Sequence, residues 1–397
     1  MKRIFIVMLV ASLCLGAVAQ DSGSILGNIG RARELAVAAN SGNAAAQADL
    51  GWSLANQQKY DEAFQWFQKS ASQGNAKGLY GLGWCYDTGA GVKVDYKVAW
   101  DLYVESASKG FPDAQFYLAG AYLQGVDLSG LHIDKDPARG VEWLSTAATG
   151  GLAIAQKTLG DCYKIGNGVR QSYIDAIEWY RKAADNGYAP AFTSLGARYL
   201  NGEGVAEDFN QALYWFRKAA AAGEDVDLLM GKSYYFLGER GKAISFFEKT
   251  RIKGDVESIR WIGSCYASGG LDLEQDLTKA YQYWRDAANK GEYLACVYAG
   301  VCCYQGVGTA VNHKDAVSLL LKSFDLVPTP IDEVEADYYR SVVGISSKIL
   351  SSCYRYGRGV IPDKEAEEYY LGFAEKYNVD ETTVSQWVES MTRKFQE

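Results

Sequence analysis

Histidine, proline and methionine are scarce in this sequence of 397 residues, which contains 2 histidines, 6 prolines and 4 methionines. So little proline argues against a proline-rich disordered chain. The two histidines, His132 and His313, both fall in predicted turns, which disfavours a histidine-built metal site and a Ser-His catalytic relay. No HExxH, GxSxG or P-loop pattern occurs either. We therefore expect no catalytic residue, no metal site, no cofactor and no enzymatic activity.

Long apolar runs are also missing, except at the start of the chain. A basic Met1-Lys-Arg start is followed by an apolar run from Ile4 to Ala17 and by Ala17-Val-Ala19, a pattern typical of a secretory signal peptide cleaved after Ala19. No second run suits a transmembrane segment of the mature chain. We therefore expect export to the periplasm or the extracellular space.

Positive charge is in deficit as well. The sequence has 40 Lys and Arg against 48 Asp and Glu, and removal of Lys2 and Arg3 with the signal peptide leaves 38 − 48 = −10. So acidic an exported chain is a poor candidate for nucleic-acid binding.

What is present is a repeat of about 36 residues. The segments that start at Ala155 and Ala191 share Leu-Gly-x-x-Tyr and Gly-x-Gly-Val in one register. Such a period indicates stacked supersecondary units, here helix, turn, helix. We therefore predict an all-α fold, a right-handed α/α superhelix of about nine repeats. The first-helix glycine position of the nine copies falls at Gly51, Gly83, Ala119, Gly160, Gly196, Gly231, Gly263, Gly300 and Ser351.

Other residue types recur in the same register and receive structural roles. Short polar residues before each second helix predict helix N-caps: Asp95, Asp136, Ser172, Asp208, Asp276, Asn312 and Asp363. Glycines that close the repeats predict left-handed C-caps: Gly74, Gly110, Gly150, Gly187, Gly223, Gly254 and Gly291. Recurring aromatic residues predict inter-helix core: Trp66, Trp143, Trp179 and Trp215, and Tyr86, Tyr122, Tyr163, Tyr199, Tyr234 and Tyr266.

This pattern resembles the Sel-one-like repeat (SLR) family, relatives of the tetratricopeptide repeats (TPR), over about residues 43–379. The resemblance implies an adaptor that gathers proteins into complexes. The first and sixth copies have shorter, TPR-like turns, and the third has an insertion from Asp127 to Ile133. We predict these segments: signal peptide 1–19, N-terminal capping helix 20–42, repeats one to eight 43–326, irregular linker 327–335, ninth repeat 336–379 and C-terminal capping helix 380–397.

Cysteine usage departs from one branch of that family. Seven cysteines remain after signal removal, an odd number that cannot form a complete disulfide framework within one chain. Five of them share one first-helix position and are predicted to be small buried side chains: Cys85, Cys162, Cys265, Cys302 and Cys353. Equivalent positions in stacked helices are about 10 Å apart, beyond the reach of a disulfide. Cysteine-rich secreted relatives staple neighbouring units near the repeat boundary, where this sequence has Ala184 and Ala191.

The first helices of such solenoids line the concave face, so non-recurring residues on them are candidates for partner binding. We select as partner-binding residues Trp52, Tyr80, Trp84, Asp87, Phe116, Lys157, Lys164 and Tyr235, and place Arg260 and Tyr304 in the same groove. Aromatic residues beside charges suit recognition of a peptide or protein. Trp52 and Trp84 occupy the same position in adjacent repeats and predict an aromatic strip; the alternative is packing against the N-terminal helix around 31–39.

We therefore predict a non-catalytic exported scaffold that holds an unidentified protein or peptide in its concave groove; the sequence leaves its oligomeric state open. One alternative is binding of cell-envelope glycan, because aromatic strips also stack on sugars. Another, implied only by the cysteine-rich relatives, is binding or hydrolysis of penicillins.

Overall fold

A computed structural model describes residues 25–330 and 333–393, so the predicted signal peptide at 1–19 lies outside the described residues. These residues form helices α1 to α20 and one hairpin. The first part comprises α1 (Ile25–Asn40), α2 (Ala44–Asn56), α3 (Tyr60–Ser72), α4 (Ala76–Thr88), α5 (Tyr96–Ser108), α6 (Pro112–Gln124), β1 (Val126–Leu128), β2 (Leu131–Ile133), α7 (Pro137–Thr149), α8 (Ala153–Ile165) and α9 (Tyr173–Asp185). The second part comprises α10 (Ala189–Asn201), α11 (Phe209–Ala221), α12 (Asp227–Phe236), α13 (Arg240–Ile252), α14 (Glu257–Ser268), α15 (Leu277–Asn289), α16 (Tyr293–Gln305), α17 (His313–Asp325), α18 (Glu333–Tyr356), α19 (Lys364–Lys376) and α20 (Glu381–Thr392).

The predicted fold class, an all-α array of helix-turn-helix repeats, is confirmed. Repeats one to nine are the pairs from α2–α3 to α18–α19, and in repeats one to four and six to nine the two helices of the pair pack on each other. The chain divides into two compact units. Unit 1 extends to Arg198 and includes residues 202–206, and unit 2 comprises residues 199–201 and everything from Glu207 onward.

In repeats one, two, four, six, seven and eight, a glycine of the first helix packs against a large side chain of the second. A Cβ atom added at Gly51 would lie 2.6 Å from the Phe67 ring, and one at Gly160 would lie 2.6 Å from the Tyr180 ring. Phe67 and Tyr180 are almost completely buried. Glycine therefore recurs because only a missing side chain lets the ring reach the backbone of the partner helix.

The recurring tryptophans are not the centre of that core. Trp66 and Trp179 are half-buried, and the next residue along, Phe67 or Tyr180, takes the buried position. Lys69 lies 4.2 Å from the Trp66 ring centre, and Lys182 lies 3.8 Å from that of Trp179. These tryptophans pack against the core, as predicted, but they are partly buried residues at its edge.

The predicted caps begin the second helices as expected. Each of the seven residues accepts a hydrogen bond from the first turn of its helix through its side chain. The closing glycines adopt positive φ, with one correction: Gly150 has φ −67° and the left-handed residue is Gly151 at φ 90°. The third repeat is longer, and its turn closes one residue later.

Two irregular segments differ from the prediction. The insertion in repeat three forms an antiparallel hairpin in which Val126 pairs with Ile133 and Leu128 with Leu131. The helix α18 begins at Glu333, inside the predicted linker, and extends over 24 residues where most first helices have 13.

The last helix, α20, lies within the segment predicted as a C-terminal cap, 380–397. It contacts α14 and α18, the first helices of repeats seven and nine. The apolar face of α20 therefore packs on first helices of unit 2, including that of the last repeat.

Candidate binding grooves

The first helices of unit 1 form the layer that carries most of the predicted site. The helices α2 and α4, which belong to neighbouring repeats, contact each other directly. Equivalent side chains from successive repeats therefore meet on this layer, as a solenoid groove requires.

An aromatic row extends along this layer. The Trp52 ring centre lies 5.4 Å from that of Trp84 and 5.9 Å from that of Tyr80. The row extends to Tyr60, whose ring centre is 6.2 Å from that of Trp84 and which is 40% exposed. Trp52 and Trp84 are half-buried, whereas Tyr80 is only 4% exposed. Tyr80 was therefore wrongly assigned to the groove surface: it packs in the core against Tyr103, 5.3 Å away.

Asp87 lies next to this core and is itself buried, at 8% exposure. Its Oδ2 atom accepts hydrogen bonds from the hydroxyls of Tyr103, at 3.3 Å, and Tyr117, at 3.2 Å. Burial raises the pKa of the Asp87 carboxyl, although the two tyrosine hydrogen bonds oppose this shift. Within the described residues, Asp87 forms no ion pair with a lysine or arginine.

A cavity of about 460 Å³ opens onto Asp87. Tyr96 and Tyr117 form aromatic walls, and the hairpin of repeat three closes one side with Val126, Leu128 and Ile133. The hairpin also carries the exposed Asp127 and Asp134 and contributes them to the lining. Lys135 adds one positive charge, so the cavity combines apolar and aromatic walls with three carboxyl groups, those of Asp87, Asp127 and Asp134, and one ammonium group.

The other predicted residues of unit 1 lie apart from the aromatic row. Phe116 packs on the core between repeats three and four. Lys157 forms an ion pair with Asp161 at 2.7 Å, and Asp161 also accepts a hydrogen bond from Tyr180 at 2.8 Å. Lys164 is half-buried.

Two predicted residues belong to unit 2. Tyr235 has its ring centre 5.1 Å from that of Trp261, with the Arg240 guanidinium 4.1 Å from its ring. Arg260 was expected in the groove, but it is buried between Glu292, at 2.8 Å, and Glu257, at 3.2 Å. The positive charge of Arg260 is therefore paired with two glutamates inside the fold.

The cysteines act as buried small side chains, as predicted. All seven described cysteines are free and buried. Burial raises the pKa of the Cys85 and Cys302 thiols to about 12 and that of Cys162 and Cys353 to about 11. Protonated, buried thiols are poor nucleophiles.

Among the described residues, no group of three His, Cys, Asp or Glu side chains is placed to hold a metal ion. None of the described helices combines the length and the apolar character needed to cross a membrane.

Sequence reasoning missed Tyr96, Tyr117 and the hairpin as parts of the site. Tyr117 lies two residues before the glycine position of repeat three and was not selected as a partner-binding residue. The insertion from Asp127 to Ile133 could have indicated the hairpin. Around it, the apolar residues Val126, Leu128, Leu131 and Ile133 alternate with polar ones, a pattern that suits two short strands.

The segments of this chain that match a known protein family coincide with the repeats of the structure. The Sel1 repeat model matches residues 44–75, 76–111, 112–152, 153–188, 193–224, 256–292, 294–326 and 349–375. The sixth copy, α12–α13, falls between two matches, in keeping with its TPR-like turn. No curated protein matches the chain.

Solved structures with the same kind of repeat are similar to this chain. A protective antigen of uropathogenic Escherichia coli with an SLR fold is 24% identical, over 91% of this chain and 93% of its own, with a TM-score of 0.47. A Sel1 repeat protein from Oxalobacter formigenes is 32% identical, over 62% of this chain and 100% of its own, with a TM-score of 0.46. Sel1 repeat proteins generally mediate protein–protein interaction and are typically non-catalytic scaffolds. Since the repeat model matches more than half of its length, the chain belongs to the Sel1 repeat family.

Proposed function

We propose that the protein is an exported, non-catalytic adaptor that binds a protein segment on the first-helix layer of unit 1. The observation that supports this most is Asp87, a buried carboxylate with no cationic partner among the described residues, at the base of an open cavity. The half-buried Trp52 and Trp84 extend the same surface.

The chemistry of this surface selects a basic side chain. Burial of a carboxylate without a counter-charge is costly, and a partner that supplies a cation offsets that cost. Tyr96 and Tyr117 can stack on a guanidinium or enclose an ammonium group. We therefore infer a partner segment that places an arginine or lysine against Asp87 and apolar residues on the tryptophans.

Export is part of the proposal and rests on the start of the sequence. The basic Lys2-Arg3, the apolar run and Ala17-Val-Ala19 support cleavage after Ala19. Amino-terminal sequencing of the mature protein from the envelope or the medium should begin at Gln20. A mature chain that retains Met1 in the cytoplasm contradicts this part.

The binding proposal is tested by capture from the native envelope fraction with tagged protein and three variants. Trp84→Ala and Asp87→Asn should both lose the same captured protein, because one removes the aromatic surface and the other the charge. Trp66→Ala, a half-buried tryptophan of a second helix, is the matched control and should retain it. An unchanged set of captured proteins with all three variants contradicts the site.

The alternatives give different results. Glycan binding predicts co-sedimentation with purified peptidoglycan that depends on Trp84 and is indifferent to Asp87→Asn. A penicillin-directed activity predicts saturable labelling by a fluorescent penicillin. The buried, protonated thiols and the departure from the cysteine-rich pattern argue for the adaptor.

A further inference from the structure

The helix α20 lies across the first helices of repeats seven to nine in unit 2. It contacts α14 and α18, and the ring centre of Trp387 lies 5.3 Å from that of Tyr298 in α16. These three first helices form the layer that corresponds to the binding surface of unit 1. A segment of the chain itself therefore occupies this groove.

The face that α20 turns to the groove is apolar. Val384, Trp387, Val388 and Met391 follow one another at intervals of three, one and three residues, which places them on one side of a helix. Val384 is 6% and Val388 8% exposed. The opposite face is exposed and polar, with Glu381, Ser385, Gln386, Glu389 and Ser390. The helix is amphipathic and buries only its apolar side.

The groove floor beneath it is apolar as well, unlike the same positions of repeat four. Val297 and Val301, three residues before and one after Gly300, are completely buried and share one cluster with Val384 and Val388. The equivalent positions of repeat four hold Lys157 and Asp161. Repeat eight therefore carries an apolar surface that an apolar helix face complements.

A cap within its own segment begins α20, and one polar contact with another part of unit 2 holds its end. At its start, the Asp380 carboxylate accepts a hydrogen bond from the Thr383 amide at 2.7 Å. At its end, the Gln275 side-chain amide donates to the carbonyl oxygens of Thr392, at 2.8 Å, and Ala267, at 2.7 Å. A cavity of about 340 Å³ remains beside α20 and is lined by Tyr304 and Arg358. The groove is thus occupied without being filled.

We propose that α20 is a self-ligand of this groove, and that the external ligand of the groove is an amphipathic helix with apolar residues at positions i, i+3, i+4 and i+7. Such a helix enters when α20 leaves, so the apparent Kd of the external helix equals its intrinsic Kd divided by the fraction of molecules in which α20 is undocked. This inference concerns unit 2 and is separate from the basic-segment site proposed in unit 1.

The test uses the full chain and a fluorescein-labelled peptide with the sequence of residues 380–392 as the probe. The double variant Val384→Asp/Val388→Asp should release α20, since two charges cannot enter the apolar groove. We expect it to bind the probe with a Kd at least tenfold lower than that of the native chain. The control Gln386→Asp/Ser390→Asp changes only the exposed face, away from the cavity beside α20, and should behave as the native chain.

A further substitution locates the binding surface. Adding Val301→Asp to the released variant should abolish probe binding, because Val301 is then part of an open apolar floor. The inference is overturned if the released chain keeps its native circular dichroism and binds no probe, or if native and released chains bind it equally.

Should the released variant fail to fold, hydrogen exchange on the native chain decides the question. A displaceable helix opens by itself, so the amides of α20 should exchange at least tenfold faster than those of α16. Equal exchange rates in α20 and α16 would show that α20 is a permanent part of the core and would overturn the inference. Failure of either measurement leaves the Asp87 site of unit 1 untouched.

Discussion

At the residue scale, single atoms decide the packing of each repeat. A recurring glycine removes a Cβ that would lie inside the van der Waals surface of a buried ring. The glycines of the first helices are not equivalent in this respect. A Cβ at Gly160 would lie 2.6 Å from the Tyr180 ring, whereas one at Gly120 would meet nothing within 4 Å.

The substitution Gly160→Ala should therefore lower the free energy of unfolding by about 1–3 kcal/mol, the usual cost of overpacking. Gly120→Ala is the matched control and should be neutral or stabilising by up to about 1 kcal/mol, because alanine favours a helix over glycine. Urea unfolding followed by circular dichroism measures both. Equal effects of the two substitutions would contradict the packing argument.

Asp87 offers a second prediction at this scale. Asp87→Ala leaves the hydroxyls of Tyr103 and Tyr117 without their acceptor and should lower the free energy of unfolding by about 1–3 kcal/mol. Asp87→Asn retains an acceptor and should cost less.

The difference in stability between the native chain and Asp87→Asn should depend on pH, and the direction of that dependence follows from the pKa of Asp87. Because the pKa of Asp87 is raised by burial, its contribution to stability is fully present below the pKa of the unfolded state and is lost as pH rises through the folded-state pKa. The native chain should therefore lose stability relative to Asp87→Asn between about pH 4 and neutral pH. A pH-independent difference in unfolding midpoint would contradict this.

At the element scale, each second helix depends on its cap. The Ser172 hydroxyl accepts a hydrogen bond from the Asp175 amide at 3.2 Å at the start of α9. Without it, that amide has no side-chain partner in the first turn.

The substitution Ser172→Ala should lower the free energy of unfolding by about 1 kcal/mol. Ser108→Ala, at the exposed end of α5, removes a hydroxyl that only donates to the Glu105 carbonyl at 2.7 Å and should change stability by less than half as much. Thermal unfolding of the two variants separates them, and an effect of the control as large as that of Ser172→Ala would refute the capping role.

At the scale of the whole molecule, the repeats place cysteines in a series of similar buried sites. Since the pKa of Cys85 is raised to about 12 and that of Cys162 to about 11, the folded chain keeps protons that the unfolded chain loses. The contribution of these thiols is complete below about pH 8.5, the ordinary value for an unfolded cysteine, and is lost as pH rises through the folded-state pKa values.

Stability should therefore decline from about pH 8.5 toward pH 11. A Cys85→Ala/Cys162→Ala variant should show a shallower decline than the native chain, because two of the contributing groups are gone. Urea unfolding between pH 7 and 10.5 measures the slopes, and identical slopes would contradict the assignment.

The parts of the site that arise from contacts between equivalent positions of neighbouring repeats can be predicted from the sequence, and the other parts cannot. The contact between Trp52 and Trp84 follows from the repeat register, because equivalent residues of stacked units must be neighbours. The burial of Asp87 depends on Tyr103 and Tyr117, which arrive from a second helix and from the next repeat. No periodicity identifies those partners.

The sequence by itself determined the all-α repeat architecture, the capping residues and the buried glycine and cysteine positions, because each arises from interactions within one repeat or between adjacent ones. Only the tertiary structure decided that the hairpin of repeat three encloses a cavity and that α20 returns to the groove of unit 2. An amphipathic tail must bury its apolar face somewhere, and the choice between the end of the stack and Val297 and Val301 depends on surfaces far apart in the chain.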